Sequence, residues 1–275
     1  MKAISIPAVF RVLVGGAALL MAPIAASATD SGLAQVAQLA QSVPVDSSSI
    51  AEASVLLGAN WIDHFDTYAT GSELIGQGGW EGWGGLATVG ALTSATQARS
   101  APNSAAIVGD SDLVHQYAGF TAGLWTYTAW QYVPTAVTTS TYFILLNTYP
   151  ATVNGNWSTQ LCFDGAAGLV RDDVLGDCAS TTTLPLIRDQ WVEIRVVIDL
   201  DTDTQTVYYN GQFFYTAPWS THLAATGGVV NVAAVDLFAN NAAEAYYDDL
   251  SLSNLPFLDG FESTDTRAWH QSVGN

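Results

Sequence analysis

Positive charge is what this chain has least of. One lysine, Lys2, and six arginines face 25 acidic residues, for a formal net charge of −18. A surface of that sign repels a phosphate backbone, which excludes nucleic acid as a partner. It also opposes polyanionic polysaccharides such as alginate or pectate unless a divalent cation bridges them, and it leaves neutral glycans open. Cysteine is nearly absent. Cys162 and Cys178 are the only two, and without a nearby histidine pair they cannot form a zinc site. Gly-x-Ser-x-Gly does not occur, and the Gly-rich stretch Gly71–Gly85 lacks the Gly-Lys-Ser/Thr ending of a phosphate loop. After the first 28 residues no run is long and apolar enough to span a bilayer.

What is present begins with a leader. Lys2 and Arg11 precede the apolar stretch Val12–Ala25, and Ala26-Ser27-Ala28 has the small residues of a cleavage site. Residues 1–28 are therefore expected to be a signal peptide, with Thr29 as the mature N-terminus. Its removal would leave five arginines against 25 acids, a net charge of −20. In the oxidising compartment this implies, Cys162 and Cys178 are expected to form a disulfide. Residues 29–59 are rich in Ala, Ser and Gln and read as a linker or short helix. A single domain is expected over 60–253, with a C-terminal tail at 254–275.

Trp191–Trp219 shows the clearest pattern in the chain. Val192, Ile194, Val196 and Ile198 alternate with Trp191, Glu193, Arg195, Val197 and Asp199, the period of a strand with one buried face. Asp201–Thr204 breaks the run with turn formers, and Thr206–Tyr209 resumes it in β-branched and aromatic types. Asn210-Gly211 is a second tight turn, because both residues tolerate positive φ. Gln212–Tyr215 then closes an antiparallel meander.

The run Trp191-Val-Glu-Ile-Arg-Val-Val-Ile-Asp-Leu200, with Val207-Tyr-Tyr-Asn-Gly211 and Tyr246-Tyr-Asp-Asp-Leu-Ser-Leu252, resembles the concanavalin A-like lectin/glucanase superfamily. It looks most like the laminin-G-like modules of secreted bacterial proteins. The resemblance covers about residues 60–253 and implies an all-β fold, a two-sheet antiparallel jelly-roll sandwich. Lectins, hydrolases, lyases and adhesion modules share that fold, so it does not choose an activity. The rest of the chain agrees with it, giving roughly eleven to thirteen strands and no long helix. Leu124–Val133 and Thr141–Thr148 are the plainest of these, the second as a central strand. Asp259-Gly-Phe-Glu-Ser-Thr-Asp-Thr-Arg-Ala-Trp269 resembles a short ending found on secreted bacterial proteins, which implies a sorting or surface-display tag.

Hydrolases of the superfamily carry Glu-x-Asp-x-(x)-Glu on one strand, placing acid and nucleophile on one face. None of the six glutamates here has that spacing. The Arg-rich strand and Tyr-Lys pair of its lyases are also missing. His115 offers a base on a strand, but it reads first as a packed, hydrogen-bonded sheet residue. In sugar-binding jelly rolls, oxygens from the first and last strands hold a structural Ca²⁺. The corresponding ligands here would be Asp63 or Asp66 with Asp248 or Asp249.

Sugars stack on aromatic faces beside hydrogen-bonding groups. Trp80 and Trp83 in the Gly-rich segment, and Trp125, Tyr127 and Gln131 on one strand face, are the ligand-binding candidates together with His115. The function expected is a secreted, non-catalytic module binding a neutral polysaccharide or cell-surface glycan, with no membrane span. The alternatives are an extracellular polysaccharide hydrolase or lyase, and a structural adhesion protein.

Overall fold

The computed structural model describes residues 61–149, 155–223 and 227–254. The expected leader at 1–28, the segment 29–59 and the tail beyond Asn254 lie outside these. In chain order the described strands are β1 Trp61–Asp63, β2 Trp80–Gly82, β3 Leu92–Ser94, β4 Ser104–Ile107 and β5 Asp112–Gln116. There follow β6 Leu124–Tyr132, β7 Ser140–Thr148, β8 Asn156–Asp164, β9 Leu169–Asp172 and β10 Thr183–Pro185. The last five are β11 Trp191–Asp199, β12 Thr204–Tyr209, β13 Gln212–Pro218, β14 Ala234–Phe238 and β15 Ala245–Ser253. One 3-10 turn, Trp83–Gly85, is the only helical element among the described residues.

The alternation in β11 becomes a buried face and a half-exposed one: Val192, Ile194, Val196 and Ile198 are at most 2% exposed. Fully burying each such side chain contributes about 1.5–3 kcal/mol. Asp199 turns the chain toward β12 by accepting the backbone N–H groups of Asp201 and Thr202 at 3.0 and 3.2 Å. Asn210 and Gly211, at φ 50° and 72°, make the next hairpin.

These strands form two antiparallel sheets packed as a jelly-roll sandwich. One has eight strands in the order β13-β12-β11-β6-β15-β4-β3, with β1 also paired to β15. The other has seven, in the order β10-β9-β8-β7-β14-β5-β2. Fifteen strands stand where about eleven to thirteen were expected, because β1, β2, β3 and β10 have three residues each, too few to show a period.

Between the sheets lies the main core, with Phe143, Leu145, Phe163, Val235 and Leu237 facing Tyr127, Ile194 and Leu252. The alternate positions of the seven-stranded sheet are apolar too. Val114, Tyr142, Ile144, Leu146 and Ala234 form a second cluster on its outer face. Both faces of β7 are therefore covered, which explains its near-continuous apolar sequence. Cys162 and Cys178 are bonded, with Cα atoms 5.7 Å apart, and the bridge lies on this outer face.

Candidate functional site

Three of the six ligand-binding candidates belong to the main core, and two more are buried against it. Trp125, Tyr127 and Gln131 do share one face of β6, but it is the face turned toward the opposite sheet. Trp125 donates its indole N–H to the Ala122 carbonyl at 2.8 Å, and the Tyr127 hydroxyl pairs with that of Tyr117 at 2.8 Å. The Gln131 amide donates to the Tyr247 hydroxyl at 2.6 Å. Trp80 is not in a surface loop. It sits in β2 at 1% exposure, stacked on Phe65. His115 points inward between Trp61 and Trp80, with Nε2 3.1 Å from the Gly78 carbonyl. Burial holds its pKa below the ordinary histidine value. None of these five presents a surface to a ligand.

The four carboxylates expected around calcium are taken by hydrogen-bond donors. Asp63 accepts the Phe65 N–H at 2.8 Å, the Tyr68 hydroxyl at 2.7 Å and the Trp80 indole N–H at 2.8 Å. Asp66 accepts the Asn103 N–H at 3.2 Å. Asp248 accepts the N–H groups of Arg99, Ser100 and Asp249 at 2.7, 3.0 and 2.8 Å. Asp249 pairs with His64 Nδ1 at 2.6 Å, with the Ser100 hydroxyl at 2.8 Å and with the Arg99 guanidinium.

Calcium requires six to eight oxygens with lone pairs to give. Here those lone pairs face N–H and O–H groups, and Arg99 already supplies the positive charge. The donor set therefore does not fit the ion. Among the described residues no group of three or more His, Cys, Asp or Glu side chains is placed to hold a metal. Burial and the adjacent Asp249 charge push the Asp248 carboxyl up to about 8. Burial opposes ionisation of Asp249 as well, but the His64 hydrogen bond and Arg99 hold it below the ordinary range.

The outer face of the seven-stranded sheet is different. Its middle row runs across the strands as Gln160, Ile144, Asp236, Val114 and Glu81. On one side lies the row Cys162, Tyr142, Phe238 and Asp112, and on the other Trp157, Leu146, Ala234 and Gln116. Asp236 thus sits on a central strand among apolar neighbours at 3% exposure, diagonal to the part-exposed Asp112.

The two carboxyls are hydrogen-bonded to each other, and the Oδ1 atom of each is buried. Burial and the Asp112 charge drive the Asp236 pKa far above the carboxylate range, and burial raises that of Asp112. Glycosidase carboxyls stand about 5–5.5 Å apart in retaining enzymes and about 6.5–9.5 Å apart in inverting ones. Two that hydrogen-bond directly are too close for either arrangement.

Trp83 is the one sequence candidate found here. It is half-buried in the turn after β2, stacks on Trp157 at 5.8 Å and 23°, and meets Tyr149 edge-on at 5.0 Å. The Gly84 N–H donates to the Tyr149 hydroxyl at 2.8 Å. Trp157 lies on β8, beyond β5, β14 and β7 in the sheet, so the Trp83 turn lies over the outer face. The left-handed Gly84, at φ 64°, lets the backbone fold down there. A second ring pair, Tyr142 and Phe238, stacks at 5.8 Å and 24° near Asp112.

The eight-stranded sheet also has aromatics on its outer face. Two of these are covered by cations, Arg99 over Trp130 at 3.7 Å and Arg195 over Tyr208 at 4.6 Å. Sequence reasoning missed Trp157, Tyr149, Phe238 and the Asp112–Asp236 pair. The one available signal was a lone acid, Asp236, in the apolar run Val232–Phe238.

No protein-family model matches the chain, and no curated protein does. Among solved structures it is similar to a sialidase at 8% identity, over 72% of this chain and 18% of that one, with a TM-score of 0.47. It is similar to the T. cruzi calreticulin globular domain at 7% identity, over 67% and 88% of the two chains, with a TM-score of 0.43. A Trypanosoma rangeli sialidase in complex with the inhibitor DANA is 14% identical over 60% of this chain and 27% of that one, at 0.40.

Proposed function

We propose that the chain is a secreted, non-catalytic glycan-binding module whose ligand lies on the outer face of the seven-stranded sheet. The observation that carries this reading is the part-exposed Trp83–Trp157 stack, on the same face as the part-exposed Glu81 and the exposed Gln116. Ring faces take the C–H surface of a pyranose, and the polar atoms take its hydroxyls. The acidic chain repels uronates, so the ligand class is a neutral polysaccharide or cell-surface glycan. The disulfide suits an oxidising compartment.

A depletion assay tests the reading. The purified chain is mixed with insoluble cellulose, chitin, xylan and mannan, and with alginate and pectate gels. Depletion by a neutral polymer, lost on Trp157→Ala, is the expected result, and no depletion by any neutral polymer overturns it. Release of soluble fragments would overturn the non-catalytic reading.

A further inference from the structure

We propose that Glu81 and Gln116 select the ligand by clamping two adjacent, unsubstituted hydroxyl groups of a neutral polysaccharide whose chain also lies against the Trp83–Trp157 stack. This rests on the ligand-face reading above and names the groups that give it selectivity. Glu81 is opposite Val114 in the β2–β5 register, and Gln116 is two residues further along the same face. The Gln116 amide donates to one Glu81 carboxylate oxygen at 2.6 Å, so each side chain holds the other in place. Trp83 follows Glu81 by two residues, and the bond from the Gly84 N–H to the Tyr149 hydroxyl fixes its turn over the face. From Gln116 the row runs through Ala234 and Leu146 to Trp157, with no polar group between. Three strand spacings, about 14 Å, separate the two ends, so a ligand that meets both is a chain and not a single sugar.

Both side chains reach solvent, Gln116 as an exposed residue and Glu81 as a part-exposed one. Beyond their mutual bond they keep a carboxylate oxygen, an amide oxygen and an amide N–H. Two acceptors and a donor, held side by side on strands, match two neighbouring hydroxyls that each donate while one also accepts. Among the described residues no arginine neutralises Glu81. Arg99 pairs with Asp249, Arg171 with Asp164 and Arg188 with backbone carbonyls, and Arg195 lies over Tyr208. An ether in place of either hydroxyl has no proton to give to the carboxylate, and a uronate meets its charge. Ring stacking makes no such distinction, because an O-methylated sugar keeps its C–H face.

Affinity gel electrophoresis of the full chain tests this, with mixed-linkage β-glucan, galactomannan and xyloglucan in the gel and the O-methylated form of each as its control. The wild type is expected to be retarded by a free polymer and about tenfold less by its methylated form, the size of one lost hydrogen bond to a charged group. Glu81→Ala and Gln116→Ala should each weaken retardation by the free polymer about tenfold. Their melting temperatures should stay at the wild-type value, which separates a lost clamp from a lost fold. Glu81→Gln keeps the shape of the side chain but not its charge, and should narrow the gap between free and methylated polymer. Equal retardation by the two forms would overturn the clamp. Full retardation of Glu81→Ala or Gln116→Ala, while Trp157→Ala abolishes it, would also overturn the clamp and leave the ligand face standing. If none of the three polymers nor the insoluble panel binds the wild type, both proposals fall together.

Discussion

The indole N–H of Trp80 donates to the carboxylate of Asp63 at 2.8 Å, tying the Gly-rich segment to the first strand across the edge of the core. The same carboxylate holds the Tyr68 hydroxyl and the Phe65 N–H, and Phe65 stacks on Trp80 at 5.6 Å. Asp63→Ala would strand several donors at once. Each buried one costs about 1–3 kcal/mol, so the variant should lose on the order of 3 kcal/mol. Urea denaturation measures this, and a loss under about 1 kcal/mol would mean that solvent replaces the carboxylate.

Stability should fall as pH rises from 3.8 to about 8. The folded-state pKa of Asp248, about 8, lies above its unfolded value, so the folded protein binds the extra proton between the two. That contribution to stability is lost as pH rises through the window. His64, raised by its hydrogen bond to Asp249, adds a contribution that is full below its ordinary 6.5 and fades above it. Asp249, held low, contributes above the ordinary carboxylate range and loses this as pH falls below it. Buried His115 opposes the trend, costing stability as pH drops below 6.5. Thermal melts across the pH range should show a decline between 3.8 and about 8 that Asp248→Asn makes shallower.

Removing divalent cations should leave the fold unchanged. The Asp248–Asp249 cluster is balanced by Arg99 and backbone N–H groups, so its charge does not call for a cation. The melting temperature with EDTA should equal that with added calcium. A rise on adding calcium would show that the ion displaces Arg99.

Trp125→Ala and Trp157→Ala should separate stability from binding. Trp125 is in the main core, where truncating a large aromatic costs about 3–5 kcal/mol. Trp157 is half-exposed on the outer face, so its loss should spare stability and reduce glycan retention. Trp125→Ala protein that remains folded should bind as the wild type does.

The sandwich could be read from the sequence because β11–β13 carry their own register: a clean alternation, then Asn210-Gly211, which accepts one kind of hairpin. The faces could not. β6 has aromatics on both sides, Trp125 and Tyr127 on one and Trp130 and Tyr132 on the other, and a period of two does not say which side is inside. Trp80 was misread because glycines flank it, although it pairs with His115 in β2. Asp112 and Asp236 meet only through the β14–β5 register, which no local spacing encodes. Of the terminal acids, Asp66 lies near Asp249, whereas Asp63 turns to Phe65, Tyr68 and Trp80, and donors to Asp248 and Asp249 come from Arg99 and Ser100, outside either strand.

The pairing of β1 with β15 has a mechanical side. Trp61 is opposite Leu252 and Asp63 opposite Leu250, so the chain enters and leaves the sandwich at the same end of one antiparallel pair. Tension applied through the two flanking segments would act on that pair first. It would open the ladder like a zipper, one hydrogen bond at a time, instead of shearing all of them together.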